Sequence, residues 1–186
     1  MMKKKDVYNI PNFFTFLRFI LIVIMWFIFF FQQRRIIGIL LAFALMTDFL
    51  DGFLARKLKQ ETKFGARFDS LADNLTAISV IIWAAFLLPE MFNEHQIMIC
   101  VVLGLVILAW LFAAIKYKRN PEFHLISNKV SNFTVGIFIV HAFIFDYNKT
   151  LLYFSAAVYG CMAIEEILIT FTHEDIDENI KSIFKT

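Results

Sequence analysis

The chain has 186 residues, of which 60% are hydrophobic and 18% charged, and its formal net charge is only +2. A soluble domain is about 45–50% apolar, so a water-soluble globular protein is excluded; the near-neutral charge says little about partners, and no nucleic-acid partner is expected. At about 20 residues per membrane crossing, the length fits one domain, 1–186, with about six spanning helices.

Lys3, Lys4 and Lys5 precede the first apolar run. Pro11 and Asn12 break its entry, Arg18 interrupts it, and no small-residue cleavage site follows. The run is therefore expected to stay as a first span rather than be removed as a signal. Six apolar segments are predicted as helices, at roughly 13–31, 36–56, 66–88, 96–116, 129–146 and 151–171. Pro89 closes the third and Pro121 falls in the connection after the fourth. Cys100 and Cys161 lie in separate apolar segments and are expected to be small buried hydrophobes rather than ligands.

Charge asymmetry orients the spans. One side receives Arg56, Lys57, Lys59, Lys63 and Arg67, then Lys116, Lys118, Arg119 and Lys129. The other receives Arg34, Arg35 and Lys149 beside the acidic Glu90 and Glu94. The basic side is expected to face the cytoplasm of a multi-pass cell-membrane protein. The acidic stretch from His173 to Glu178 is expected to be a solvated or interfacial segment without chemistry.

The informative stretch joins the second and third spans. Asp48 and Asp51 stand at i and i+3, and Asp69 and Asp73 at i and i+4, so each pair shares a helix face. An Asp at the centre of a membrane helix costs about 2.5–3.5 kcal/mol, and four on adjacent helices repel one another. A hard divalent cation with oxygen ligands, Mg²⁺, Mn²⁺ or Ca²⁺, relieves that repulsion, and two such ions balance four carboxylates. Gly52, Ala55 and Gly65 lie on or beside the same stripes, where small residues admit a ligand to the backbone. Arg56 stands one turn on and suits a phosphate. The start of the third helix, near Gly65, is expected to offer free N–H groups to an anion.

The pattern Asp48-x2-Asp51-Gly52-x2-Ala55-Arg56-x8-Gly65-x3-Asp69-x3-Asp73 resembles the signature of the CDP-alcohol phosphotransferase (CDP-alcohol phosphatidyltransferase) family. Its eight fixed positions make a chance match at any one start of order 10⁻¹⁰. The resemblance implies an all-α integral membrane enzyme with six transmembrane helices and a polar, metal-binding cavity open to the cytoplasmic side. It implies that Asp48, Asp51, Asp69 and Asp73 bind two divalent metals and that Asp73 is also the general base. Gly52, Ala55, Arg56 and Gly65 would line the CDP site. It further implies CDP-diacylglycerol as donor, a small alcohol as acceptor, a lipid bilayer as environment, and a homodimer.

Ile10-Pro11-Asn12-x2-Thr15-x2-Arg18 is similar to the opening of bacterial glycerophosphate-using members, which implies Asn12 and Thr15 near the nucleotide. An alternative is that Asn12 only caps the helix. Arg18, inside a span, needs an anionic partner, with a signature Asp, Glu165 or Glu166 as candidates. Where those members carry Gly-Lys-x-Lys-Thr, this chain has Asn128-Lys129-Val130-Ser131-Asn132, so Lys129, with Arg119 as a substitute charge, is the expected acceptor-phosphate site. Asp69-Ser70-Leu71-Ala72-Asp73 instead resembles phosphatidylserine synthases. Glycerol 3-phosphate is the preferred acceptor, with serine, inositol phosphate or phosphatidylglycerol as alternatives. The reading from another class is a divalent-cation transporter using the same acidic cluster. His141 is expected to be a hydrogen-bonded core residue, and His95, His124 and His173 loop or end residues.

Overall fold

Among the described residues, six α-helices follow one another: α1 (Ile10–Phe30), α2 (Arg34–Leu58), α3 (Lys63–Leu87), α4 (Pro89–Tyr117), α5 (Ile126–Ile144) and α6 (Lys149–Thr172). The computed structural model describes residues 10–58, 62–117 and 125–172, with backbone alone for 10, 11, 49, 51–56, 58 and 63. Five helices follow the expected spans to within a few residues. The fourth starts at Pro89 rather than 96. Proline suits a first helical position because its missing donor would have no partner there anyway. The helix then kinks at His95, whose φ of −122° and ψ of 17° are not helical. His95, expected in a loop, is buried at that kink. His124 and His173 lie outside the described residues.

Among the described residues, four helices, α1, α3, α4 and α6, are long and apolar enough to cross a membrane. The other two are more polar. Arg34, Arg35, Asp48, Asp51, Arg56 and Lys57 interrupt α2, and Ser127, Asn128, Lys129, Ser131 and Asn132 open α5.

The faces of α1 are reversed relative to a helix of a soluble protein. Its buried stripe begins with Asn12, Thr15 and Arg18 and turns apolar only at Ile22 and Met25. Its exposed stripe is Phe13, Phe16, Ile20, Val23, Phe27 and Phe30. Water would oppose that arrangement, whereas hydrocarbon favours it. Cys100 and Cys161 are exposed free thiols, not buried as expected, because they lie on helix faces that carry other exposed apolar side chains.

The chain packs as two compact units, one of Met1–Pro89 with Ile139–Asp146, the other of Glu90–Phe138 with Tyr147–Thr186. In the first, α1 packs against both α2 and α3. Trp26 donates its Nε1–H to Ser79 Oγ at 2.9 Å and meets Trp83 edge-on at 5.6 Å, while Phe19 stacks on Phe68 at 4.7 Å. Gly38 lets α2 approach the end of α5. A Cβ there would stand 2.8 Å from both Phe143 Cβ and Ile144 Cγ1. The first of these sits directly on the backbone, so no rotamer change relieves it. Gly38→Ala should destabilise the protein by about 1–3 kcal/mol, read as a lower unfolding midpoint in detergent by tryptophan fluorescence.

In the second unit, polar groups join α5 to α6. Ser131 Oγ donates to Val158 O at 3.4 Å and Ser155 Oγ to Thr134 O at 3.4 Å. Asn128 Nδ2 donates to Glu166 Oε1 at 2.8 Å. Small residues with side chain–backbone bonds are the usual adhesive between helices where no hydrophobic force acts between them. Near the start of α6, Lys149 and Tyr147 both reach Glu94, at 2.7 and 2.9 Å, and Tyr153 lies 3.3 Å from His95 Nδ1.

Candidate functional site

The polar end of the α1 stripe is where the acidic residues of α2 and α3 meet. Arg18 is 2% exposed, and its two terminal nitrogens contact three carboxylates. Nη2 lies 2.7 Å from Asp48 Oδ1, and Nη1 lies 3.1 Å from Asp69 Oδ1 and 2.7 Å from Asp73 Oδ1. These are charge-assisted distances. One carboxylate comes from α2 and two from α3, so a single guanidinium from α1 ties three helices together.

The spacing accounts for this convergence. Asp69 and Asp73 are one helical turn apart, and both reach the same nitrogen of Arg18. Arg18 stands three residues after Thr15 and six after Asn12, on the buried face of α1. The open choice among anionic partners for Arg18 therefore falls on the signature aspartates. Glu166 Oε1 accepts from Asn128 Nδ2 within the second unit.

One oxygen from each of Asp48, Asp69 and Asp73 lies within 4.8 Å of the others. Among the described side chains, three carboxylates face the one guanidinium, which is buried while they are part-exposed. All-oxygen donors at this separation can hold a hard divalent cation. Asp51, Gly52, Ala55 and Arg56 continue α2 at this end, but their side chains lie outside the described set. Arg119 lies outside the described residues altogether. Lys129 is exposed in the first turn of α5, and Ser131, which stands where the second lysine was sought, is buried against α6.

Two expectations change at the start of α3. Thr62 is the N-cap, and its Oγ1 accepts the Gly65 N–H at 3.0 Å. That N–H is therefore already used and is not open to an anion. Gly65 also faces Asn12. A Cβ on it would stand 2.6 Å from Asn12 Oδ1 and 3.1 Å from Thr62 Oγ1. The missing side chain makes room for Asn12, which is buried within the first turn of α1. Because α1 already begins at Ile10, Asn12 is not its cap. Gly65→Ala should push the Asn12 amide aside. If Asn12 reads the nucleotide, KM for the CDP donor rises several-fold with little change in unfolding temperature.

Two polar residues outside this cluster have partners of their own. His141 lies 3.1 Å through Nδ1 from the Asp146 carbonyl, as a hydrogen-bonded rather than ligating histidine. Arg34 pairs with Asp146 at 3.2 Å. The residue the sequence left outside its site is Arg18. The available signal was a lone charge in an apolar run, twelve residues from the nearest acid, Asp6, which predicts a partner but not which one.

Comparison with known proteins identifies a family and partial relatives. The profile of the family described as CDP-alcohol phosphatidyltransferase matches residues 8–169. A Pseudomonas fluorescens protein named CDP-diacylglycerol–glycerol-3-phosphate 3-phosphatidyltransferase is 42% identical over 78 residues, 40% of this chain and 40% of that one. Proteins with the same name from Yersinia enterocolitica and Rickettsia felis are 40% identical over 80 residues and 38% identical over 77. In these two the match covers 41% and 40% of this chain, and 44% and 42% of the relative. The chain thus aligns with about two fifths of the length of each of these relatives. No solved structure matches it. Since the family profile spans both the acidic helices and most of the remaining chain, the protein belongs to the CDP-alcohol phosphatidyltransferase family.

Proposed function

We propose that the protein transfers a phosphatidyl group from CDP-diacylglycerol to glycerol 3-phosphate and releases CMP. The observation that carries this reading is the convergence of Asp48, Asp69 and Asp73 within 4.8 Å, at the signature positions of a family of phosphatidyltransferases. The names of the partial relatives favour glycerol 3-phosphate as acceptor. Family membership sets aside the cation-transporter alternative.

Asp48, Asp51, Asp69 and Asp73 are the proposed holders of two divalent ions, Mg²⁺ or Mn²⁺. When bound, such ions supply electrostatic stabilisation of a diphosphate and its leaving group. The chain's own residues do the rest. Asp73 accepts the proton of the acceptor hydroxyl. That oxygen bonds to the lipid-linked phosphorus, the bond from this phosphorus to the bridging oxygen breaks, and CMP departs with that oxygen. Arg18 keeps Asp73 directed toward the cluster through its 2.7 Å contact. Asn12, Thr15, Gly52, Ala55, Arg56 and Gly65 are the proposed CDP contacts, and Lys129 and Arg119 the charges for the acceptor's phosphate.

The proposal places the whole chain, 1–186, as one six-span domain of a homodimer in the cell membrane, with its acidic end toward the cytoplasm. Purified protein with Mn²⁺ and CDP-diacylglycerol tests the acceptor. Glycerol 3-phosphate should stimulate CMP release well above serine, inositol phosphate or phosphatidylglycerol. Stimulation by serine alone would overturn the choice of acceptor and keep the reaction class.

A further inference from the structure

Arg18 is more than the counter-ion that a buried charge requires. It contacts three carboxylates from two helices through one oxygen of each, all of them Oδ1. Those carboxylates are also the only His, Cys, Asp or Glu group among the described residues that is gathered closely enough for a metal. A guanidinium and a divalent ion therefore draw on the same three residues. Arg18 is 2% exposed and packed in line with Thr15 and Ile22 on the buried face of α1, so it has no solvent to retreat into.

We propose that Arg18 is a built-in cation of the acidic site, one that holds Asp48, Asp69 and Asp73 together between turnovers and lowers the site's affinity for divalent ions. The inference rests on the metal reading of these carboxylates. Its physical basis is twofold. Three carboxylates whose oxygens lie within 4.8 Å repel one another, and a fixed positive charge among them removes most of that repulsion without any ion. The same positive charge opposes an incoming dication. Arg18 is thus a positioning residue: it acts on the reaction through the carboxylates and not by touching the reacting atoms. Arginine suits this role better than lysine, because its fork reaches carboxylates from two helices at once.

The test compares full-length wild type, Arg18→Gln and Arg18→Lys in detergent after removal of metal. Mn²⁺ binding is read from the loss of the free-ion EPR signal, and unfolding from tryptophan fluorescence with chelator and with saturating Mn²⁺. Arg18→Gln should bind Mn²⁺ about tenfold tighter or more. Its unfolding midpoint in chelator should fall, and most of that loss should be recovered on adding Mn²⁺. Arg18→Lys should stay within about threefold of wild type in affinity, because the charge remains. A merely structural arginine would lower the midpoint at every Mn²⁺ concentration without tightening binding. If the Gln variant does not survive chelation, it is purified in Mn²⁺ and the chelator concentration that strips it is measured; this should exceed the wild-type value about tenfold. Equal or weaker Mn²⁺ binding by Arg18→Gln overturns the inference and leaves the metal reading intact. Absence of Mn²⁺ binding by wild type overturns both.

Discussion

Asp73→Asn should reduce CMP release by about 10³-fold or more while the protein still folds. The amide has nearly the volume of the carboxylate and still presents Oδ1 to Arg18, now 2.7 Å away. Asp48 and Asp69 remain to balance the guanidinium, so helix packing around it should survive. What disappears is a negative charge and a proton acceptor. A positioned general base contributes about 10²–10⁴-fold by itself, and the loss of a metal ligand adds to that. Chromatographic CMP release, paired with a fluorescence unfolding curve, separates lost chemistry from lost fold. Activity within tenfold of wild type, with normal unfolding, would place the general base elsewhere.

Removal of divalent ions should have an effect as large. The donor's diphosphate is itself anionic, and the reading brings it to a cluster in which three carboxylates face one guanidinium. Two like charges 4 Å apart near a protein surface cost about 4 kcal/mol. Several such pairs would prevent the donor from binding before any chemistry could begin. EDTA should therefore abolish CMP release, and both Mn²⁺ and Mg²⁺ should restore it, while NaCl at the same ionic strength should not. The effect should appear in donor binding as well as in turnover. Full activity in chelator would show that the carboxylates work as bases or structural partners alone.

The helices were legible because apolar runs of about 20 residues have few alternatives in a chain this hydrophobic. The miss at the fourth helix has a specific cause. Glu90, Asn93, Glu94 and His95 look like loop residues, yet Pro89 is a good first helical residue, and Glu94 and His95 find partners in Lys149, Tyr147 and Tyr153. The proximity of Asp69 and Asp73 was legible because helix periodicity alone puts them on one face. The partner of Arg18 was not, because spacing along one helix says nothing about which of several acids on other helices it will meet. Gly65 shows a related limit. Its smallness signalled a close approach, but only the packing of α1 on α3 identifies Asn12 as the group that approaches. Thr62 was passed over as a cap, and with it went the expectation of an open Gly65 N–H.

The most direct test is a crystal of the protein grown with Mn²⁺, with data collected at the manganese edge. The anomalous map should place at least one manganese peak within bonding distance, about 2.0–2.3 Å, of oxygens from Asp48, Asp69 and Asp73, beside the Arg18 guanidinium. Manganese bound only elsewhere, with these three side chains turned away from one another, would contradict the account.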